Sequence, residues 1–178
     1  MSISLKNIPA LIKVTGEEYT TRFAQLHKML NDMRNDYGLD LDPDFQRGHV
    51  WSLNTKVKFI EYLLRGGKVN PIFFNCPDYS YSYKESDAVL SKTVVLVDGK
   101  QRLTAILEFL DNKIPAFGHY LDEFEDKVFM LRHFGITYII NSLQTRKEML
   151  TWYLEINEGH IAHTPNEIKM VYDLLAQC

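Results

Sequence analysis

The sequence predicts an α+β fold, a small mixed sheet flanked by helices in a single domain over residues 1–178, and three observations carry that reading. Residues 71–74, 94–97 and 136–140 are short runs dominated by β-branched, aliphatic and aromatic side chains, the pattern of strands buried in a sheet. Between them, apolar residues recur at steps of three and four, the spacing of helices that bury one stripe. The 178 residues are 46% apolar and include ten Phe and ten Tyr, enough for one core. No repeat, low-complexity tract or linker divides the chain.

Taken in order, Thr15-Gly16-Glu17-Glu18 reads as a capping box that opens a helix through Tyr19, Phe23, Leu26, Leu30, Met33 and Tyr37, with Gly38 as its stop. That stripe fits packing within the domain, a partner or dimer seam being the alternative. Residues 41–52 are too polar and too rich in turn residues for core, yet contain Phe45 and Trp51, and are expected to form a functional loop. Ser52 or Asn54 caps a helix through Val57, Ile60 and Leu64 that closes at Arg65-Gly66-Gly67, and the strand at 71–74 follows. In residues 78–87 tyrosines alternate with polar residues, which predicts an exposed hairpin or loop whose rings either pack on an edge strand or stack on bases. The run at 94–97 is uninterrupted, as in a strand covered on both faces, and Leu103, Ile106, Leu107 and Leu110 then set a helix. A loop at 115–118, the strand at 136–140 and a helix from about Thr145 to Ile156 come next. Thr164-Pro165-Asn166-Glu167 opens the last helix with Thr at N-cap, Pro at N1 and Glu at N3.

A formal charge of −3 and a pI near 6.1 argue against a broad basic surface that grips duplex DNA and leave room for a local basic cleft. Cys76 and Cys178 lack zinc-ligand spacing and read as reduced thiols of a cytoplasmic protein. His160 and His163 have no further histidine or cysteine nearby, which disfavours a metal site. The N-terminal residues show no signal-peptide pattern, and no apolar run approaches the ~20 residues that cross a bilayer, so no membrane association is expected.

The junction Asp98-Gly99-Lys100-Gln101-Arg102 carries the chemistry. A buried strand stops there and a helix begins. The first turn of a helix presents N–H groups without intrahelical partners at the positive end of the macrodipole, and Lys100 and Arg102 add two charges, so an anion such as phosphate is suited to it. Asp98 with Gln101 three residues later is also an ordinary capping box, with Gly99 relieving a tight turn and Arg102 solvated. The patterns G-x-x-x-x-G-K-[ST] and G-x-G-x-x-G are both absent.

Three separated elements share the chain: Asp44-Phe45-Gln46-Arg47 with Trp51 and Ser52, then Val97-Asp98-Gly99-Lys100-Gln101-Arg102-Leu103-Thr104, then Glu155-Ile156-Asn157-Glu158-Gly159 followed by Thr164-Pro165-Asn166-Glu167. In that order they resemble the ParB-like N-terminal domain of GmrSD-type restriction enzymes, with its FQR…W loop, strand–DGQQRLT–helix junction and late F-x-x-I-N-x-G-G-x-x-L-[ST]-x-x-E segment. The resemblance runs from about Leu39 to Val171 and makes a bare capping box the weaker reading of residues 98–102.

The resemblance implies a ParB/sulfiredoxin-like fold whose turn holds the phosphates of a nucleoside triphosphate, in a domain associated with nucleotide hydrolysis that gates attack on modified phage or host DNA. It makes Asp98, Lys100, Gln101 and Arg102 the catalytic candidates, and Gln46, Arg47, Gly99 and Asn157 the nucleotide-binding ones. Arg47 and Arg102 suit bidentate contact with phosphate and Lys100 a point charge. Asp98 is a ligand for the Mg2+ that accompanies the triphosphate, or a base. Gln46 and Gln101 can orient a water or a phosphate oxygen, and Asn157 can form a polar wall. Gln46 and Asn157 can equally bond loop backbone. ATP, GTP and CTP are not distinguished.

Two departures from the pattern stand out: Lys100 replaces the usual first glutamine, and Glu158-Gly159-His160 replaces a double glycine. The HNH nuclease domain that follows in the complete enzymes is not expected in these 178 residues. The function expected is hydrolysis or transfer of a γ-phosphate. Hydroxymethylated DNA is one acceptor. The alternatives are a nucleotide- or DNA-binding module that switches a separate nuclease, and a DNA-binding or nicking protein. The oligomeric state is left open.

Overall fold

The computed structural model describes residues 11–12, 16–46, 48, 51–79, 90–158 and 165–178. Within these the chain runs β1 (Glu17–Arg22), α1 (Phe23–Tyr37), β2 (Leu39–Asp40), α2 (Leu53–Leu64), β3 (Ile72–Asn75), β4 (Val94–Asp98) and α3 (Lys100–Leu110). A 3-10 turn (Leu121–Glu123), α4 (Lys127–His133), β5 (Gly135–Asn141), α5 (Arg146–Glu158) and α6 (Pro165–Leu175) complete it. The α+β class is borne out by a five-stranded sheet in the order β1-β5-β3-β4-β2. It is mixed: β1 with β5 and β3 with β4 are antiparallel, whereas β3 with β5 and β2 with β4 are parallel.

The alternation of side chains along the central strands explains why their sequences are continuously apolar. Val94 and Leu96 of β4, with Ile72 and Phe74 of β3, join a core shared with Leu26 and Leu30 of α1, Ile60 of α2, and Leu103, Ile106 and Phe109 of α3. Val95, Val97 and Phe73 face the opposite way, toward a second cluster with Met149, Leu150, Trp152 and Tyr153 of α5 and Val171 of α6. Both faces are covered, so neither set of positions tolerates polarity. Trp152 is fully buried and meets the Phe73 ring edge-on at 5.7 Å.

The helix expected from Tyr19 starts one turn later. Residues 17–22 form β1, paired residue by residue from Glu17 opposite Ile140 to Arg22 opposite Gly135. Tyr19, Thr20 and Thr21 are strand formers, and the Tyr19 ring stacks on its cross-strand neighbour Tyr138 at 5.3 Å. The four-residue step from Tyr19 to Phe23 thus bridges two elements. α1 keeps the rest of its stripe, Phe23, Leu26, Leu30 and Met33, and the Gly38 N–H closes it on the Arg34 carbonyl at 3.0 Å. Thr15 lies outside the described residues.

Other expectations hold. Ser52 caps α2 by accepting from the Thr55 N–H at 3.2 Å. At the start of α5 the Glu148 N–H donates to the Thr145 hydroxyl at 3.2 Å while the Thr145 N–H donates to the Glu148 carboxylate at 3.0 Å, a reciprocal capping box. The tyrosine-rich stretch lies mostly outside the described residues; Tyr79, at its edge, packs against Tyr19 and Tyr37 at ring distances of 6.1 and 6.2 Å. No described helix is long and apolar enough to cross a membrane.

The two thiols sit in contrasting places. Cys76 is buried beneath the sheet and Cys178 is exposed. Desolvation pushes the Cys76 pKa up to about 11, which keeps it a neutral, unreactive thiol at pH 8. A thiol pKa raised above its unfolded value contributes stability below that value, and the contribution is lost as pH climbs toward about 11. We predict that an aromatic disulfide reagent at pH 8 titrates one thiol of the native protein rapidly and the second only after denaturant is added. Two equally fast thiols in the native state would contradict this placement of Cys76.

Candidate functional site at the first turn of the third helix

β4 ends at Asp98, and the backbone turns into α3 through Gly99, which has φ 103° and ψ 11°. A Cβ on Gly99 would lie 2.6 Å from Ile72 Cδ1 and 3.1 Å from Arg102 Nη2, so the close approach of β3 to the helix start needs glycine. The Gly99 carbonyl accepts the first intrahelical bond, from the Leu103 N–H at 2.8 Å. The N-cap is this glycine, which has no side chain to cap the helix, and no acid stands in the first turn.

The capping-box alternative for residues 98–102 is therefore corrected. The Asp98 carboxylate pairs instead with Arg102 Nη2 at 2.6 Å. The Gln101 side chain turns away from Asp98: its Nε2 donates to the Gly48 carbonyl at 3.0 Å and its Oε1 accepts the Trp51 N–H at 3.3 Å. Arg102 is not solvated. Its side chain is 17% exposed, it makes a second bond to the Pro71 carbonyl at 3.2 Å, and its buried Nε has no partner among the described residues.

A cleft of about 490 Å³ opens at this turn. Its floor is Asp98, Gly99 and the first residues of α3, one side is Gln46 and Trp51 from the loop before α2, and the other is Tyr153, Ile156 and Asn157 of α5. Phe73, opposite Asp98 in the β3–β4 ladder, also lines the cleft, so that three aromatic residues, Trp51, Phe73 and Tyr153, border it. The cleft thus sits at the carboxyl end of a sheet strand and the amino end of a helix, where the macrodipole favours an anion.

The structure gathers Asp98, Gly99, Lys100, Gln101, Arg102, Gln46 and Asn157 around this one cleft. Arg47 lies outside the described residues. The side chains divide by task. Lys100 contributes to the cleft wall, but its ammonium pairs with Asp42. Gln46 Nε2 bonds the Leu96 and Val97 carbonyls of β4 at 2.6 and 2.9 Å, and Asn157 Nδ2 bonds the Tyr153 carbonyl one turn back at 2.7 Å. Backbone bonding thus engages the amide nitrogens of both.

Phe45, expected in a polar functional loop, is a core residue: it is 1% exposed and meets the Tyr153 ring at 5.2 Å. The apolar wall of the cleft was not read from sequence, although Tyr153, Ile156 and Asn157 share one face of α5 at steps of three and four. Among the described residues no cluster of three or more His, Cys, Asp or Glu could hold a metal ion; His160 and His163 lie outside them.

The family model described as GmrSD restriction endonuclease, N-terminal domain, matches residues 26–177, from within α1 to beyond the end of α6. The chain belongs to this family. The match takes in every residue of the cleft, and the resemblance seen in the three motifs is borne out. Membership of the GmrSD N-terminal family places the chain in the context of restriction enzymes and phage defence. No curated protein and no solved structure matches it.

Proposed function

We propose that this GmrSD N-terminal domain binds a nucleoside triphosphate with Mg2+ in the cleft and hydrolyses or transfers its γ-phosphate, as a step in the restriction of modified DNA in the cytoplasm. The observation that carries the reading is the start of α3: a first turn with no acid in it that opens on a glycine, beside a guanidinium whose buried Nε has no partner among the described residues. Phosphate oxygens would accept from the first-turn N–H groups and from Arg102, whose planar fork suits two of them at once. The cleft volume is within the range of small-molecule sites, and the aromatic residues that line it suit contact with a base.

Mg2+ fits the donor set as an ion that arrives with phosphate. It is commonly held by one or two carboxylates together with phosphate oxygens and water, and Asp98 supplies a carboxylate at the cleft. When bound, the ion would neutralise charge on the transferring phosphoryl group. Asp98 would hold it or accept a proton from the nucleophile, and Arg102 would exchange Asp98 for phosphate.

One observation favours a second reading, a binding module that switches a separate nuclease. Lys100 and Gln101 spend polar groups on the loop at one side of the cleft, and Gln46 of that loop bonds β4, so occupancy would be felt in the loop. Turnover separates the two. The protein and Asp98→Asn would be incubated with γ-labelled ATP, GTP, CTP and UTP and Mg2+, with and without DNA carrying hydroxymethylated bases. We expect phosphate release, or label on the DNA, that falls about 100-fold or more in Asp98→Asn. Tight binding without turnover selects the module; neither binding nor turnover rejects both.

A further inference from the structure

We propose that Asp42 is a positioning residue for the cleft, acting through Lys100: their ion pair ties residues 41–46, which precede α2, to the first turn of α3 and sets the wall that Gln46 and Trp51 form. The functional arm of this proposal rests on the triphosphate reading; the structural arm does not.

The burial of the two partners is unequal. The Lys100 side chain is 6% exposed and that of Asp42 is 82% exposed. A lysine so deeply buried needs a partner to remain charged, and the partner it takes belongs to a loop. Lys100 also shows where its side chain goes: it borders a second hollow of about 350 Å³ together with Leu41, Asp42 and Leu107, as well as the main cleft.

The neighbouring bonds give the pair its consequence. Gln101, the next residue, holds Gly48 and Trp51, so consecutive residues of the same helical turn take the entering and leaving limbs of one loop. Between these limbs, Asp44 is held by Arg146 of α5 at 2.6 Å and Gln46 by the β4 carbonyls. Lys100 and Gln101 thus act on the cleft through its wall.

The sign of one substitution separates this role from a direct phosphate clamp. If Lys100 were a clamp restrained by Asp42, Asp42→Asn would release it and remove a negative charge, and anion binding would tighten. A positioning role predicts the opposite. The test compares wild type, Asp42→Asn, Lys100→Gln and the double variant by amide hydrogen exchange over residues 41–46 and by affinity for Mg2+-ATP.

We expect exchange in the loop to rise about tenfold and affinity to fall about three- to tenfold in Asp42→Asn, with the double variant no worse than the poorer single one. Unchanged exchange, or tighter nucleotide binding by Asp42→Asn, overturns the proposal. If wild type binds no triphosphate, the nucleotide reading fails and the exchange data alone decide the tether. Asp42 is on the surface, so its variant remains informative should Lys100→Gln fail to fold.

Discussion

Gly99→Ala is expected to lower the stability of the domain by about 2–4 kcal/mol, the sum of a left-handed backbone and crowding against a packed side chain. At φ 103° an alanine pays for a conformation that glycine adopts freely. Its Cβ would then stand 2.6 Å from Ile72 Cδ1 and 3.3 Å from Ile72 Cα. Ile72 is 2% exposed and sits in the central strand β3, so its Cδ1 has to turn within a packed core and its backbone to give by a few tenths of an ångström. Arg102 Nη2 would be 3.1 Å away, and the Asp98–Arg102 pair would shift with it. In a chain of this size the loss corresponds to a fall in Tm of about 5–15 °C. Thermal and urea unfolding would measure it; a variant as stable as wild type would mean that the turn does not have this backbone geometry.

Phe45→Ala is expected to destabilise by about 3–5 kcal/mol, the cost of deleting a fully buried aromatic ring. The position tests whether a segment that looks polar in sequence is anchored in the core. Phe45 is 1% exposed and packs in the cluster of α5 and α6, with its ring against Tyr153, which itself lines the cleft. Phe45→Leu keeps most of the volume and should cost less than about 1.5 kcal/mol. If Phe45→Ala costs no more than a surface change in denaturant unfolding, the loop is not held from beneath and the cleft wall is not fixed as described.

The parts of this fold that could be read from sequence are those where one physical demand dominates. β3 and β4 are covered on both faces, so their apolar runs had no competing explanation. The turn at residues 98–102 was legible because strand end, glycine and basic helix start fall within five residues. β1 was misread because Tyr19 precedes Phe23 by four, which satisfies a helical stripe although a cross-strand partner decides the conformation. α4 went unseen because its seven residues bury only Met130, too little to make a stripe. The destinations of Lys100 and Gln101 were beyond sequence for a different reason. Their partners lie 58, 53 and 50 positions away, and nothing in a local pattern tells a buried tether from a phosphate ligand. Phe45 was hidden by the polar residues around it, of which Asp42 and Asp44 are exposed while the Phe45 ring turns inward.

The measurement closest to the central claim is a calorimetric titration of wild type and Arg102→Ala with the Mg2+ complexes of ATP, GTP, CTP and UTP. We expect at least one nucleotide to bind at one per chain, and Arg102→Ala to weaken it about 100-fold by removing a charge-assisted fork from the phosphates. Binding of none of the four by a folded wild type, or binding untouched in a folded Arg102→Ala variant, would contradict a triphosphate site at the first turn of α3.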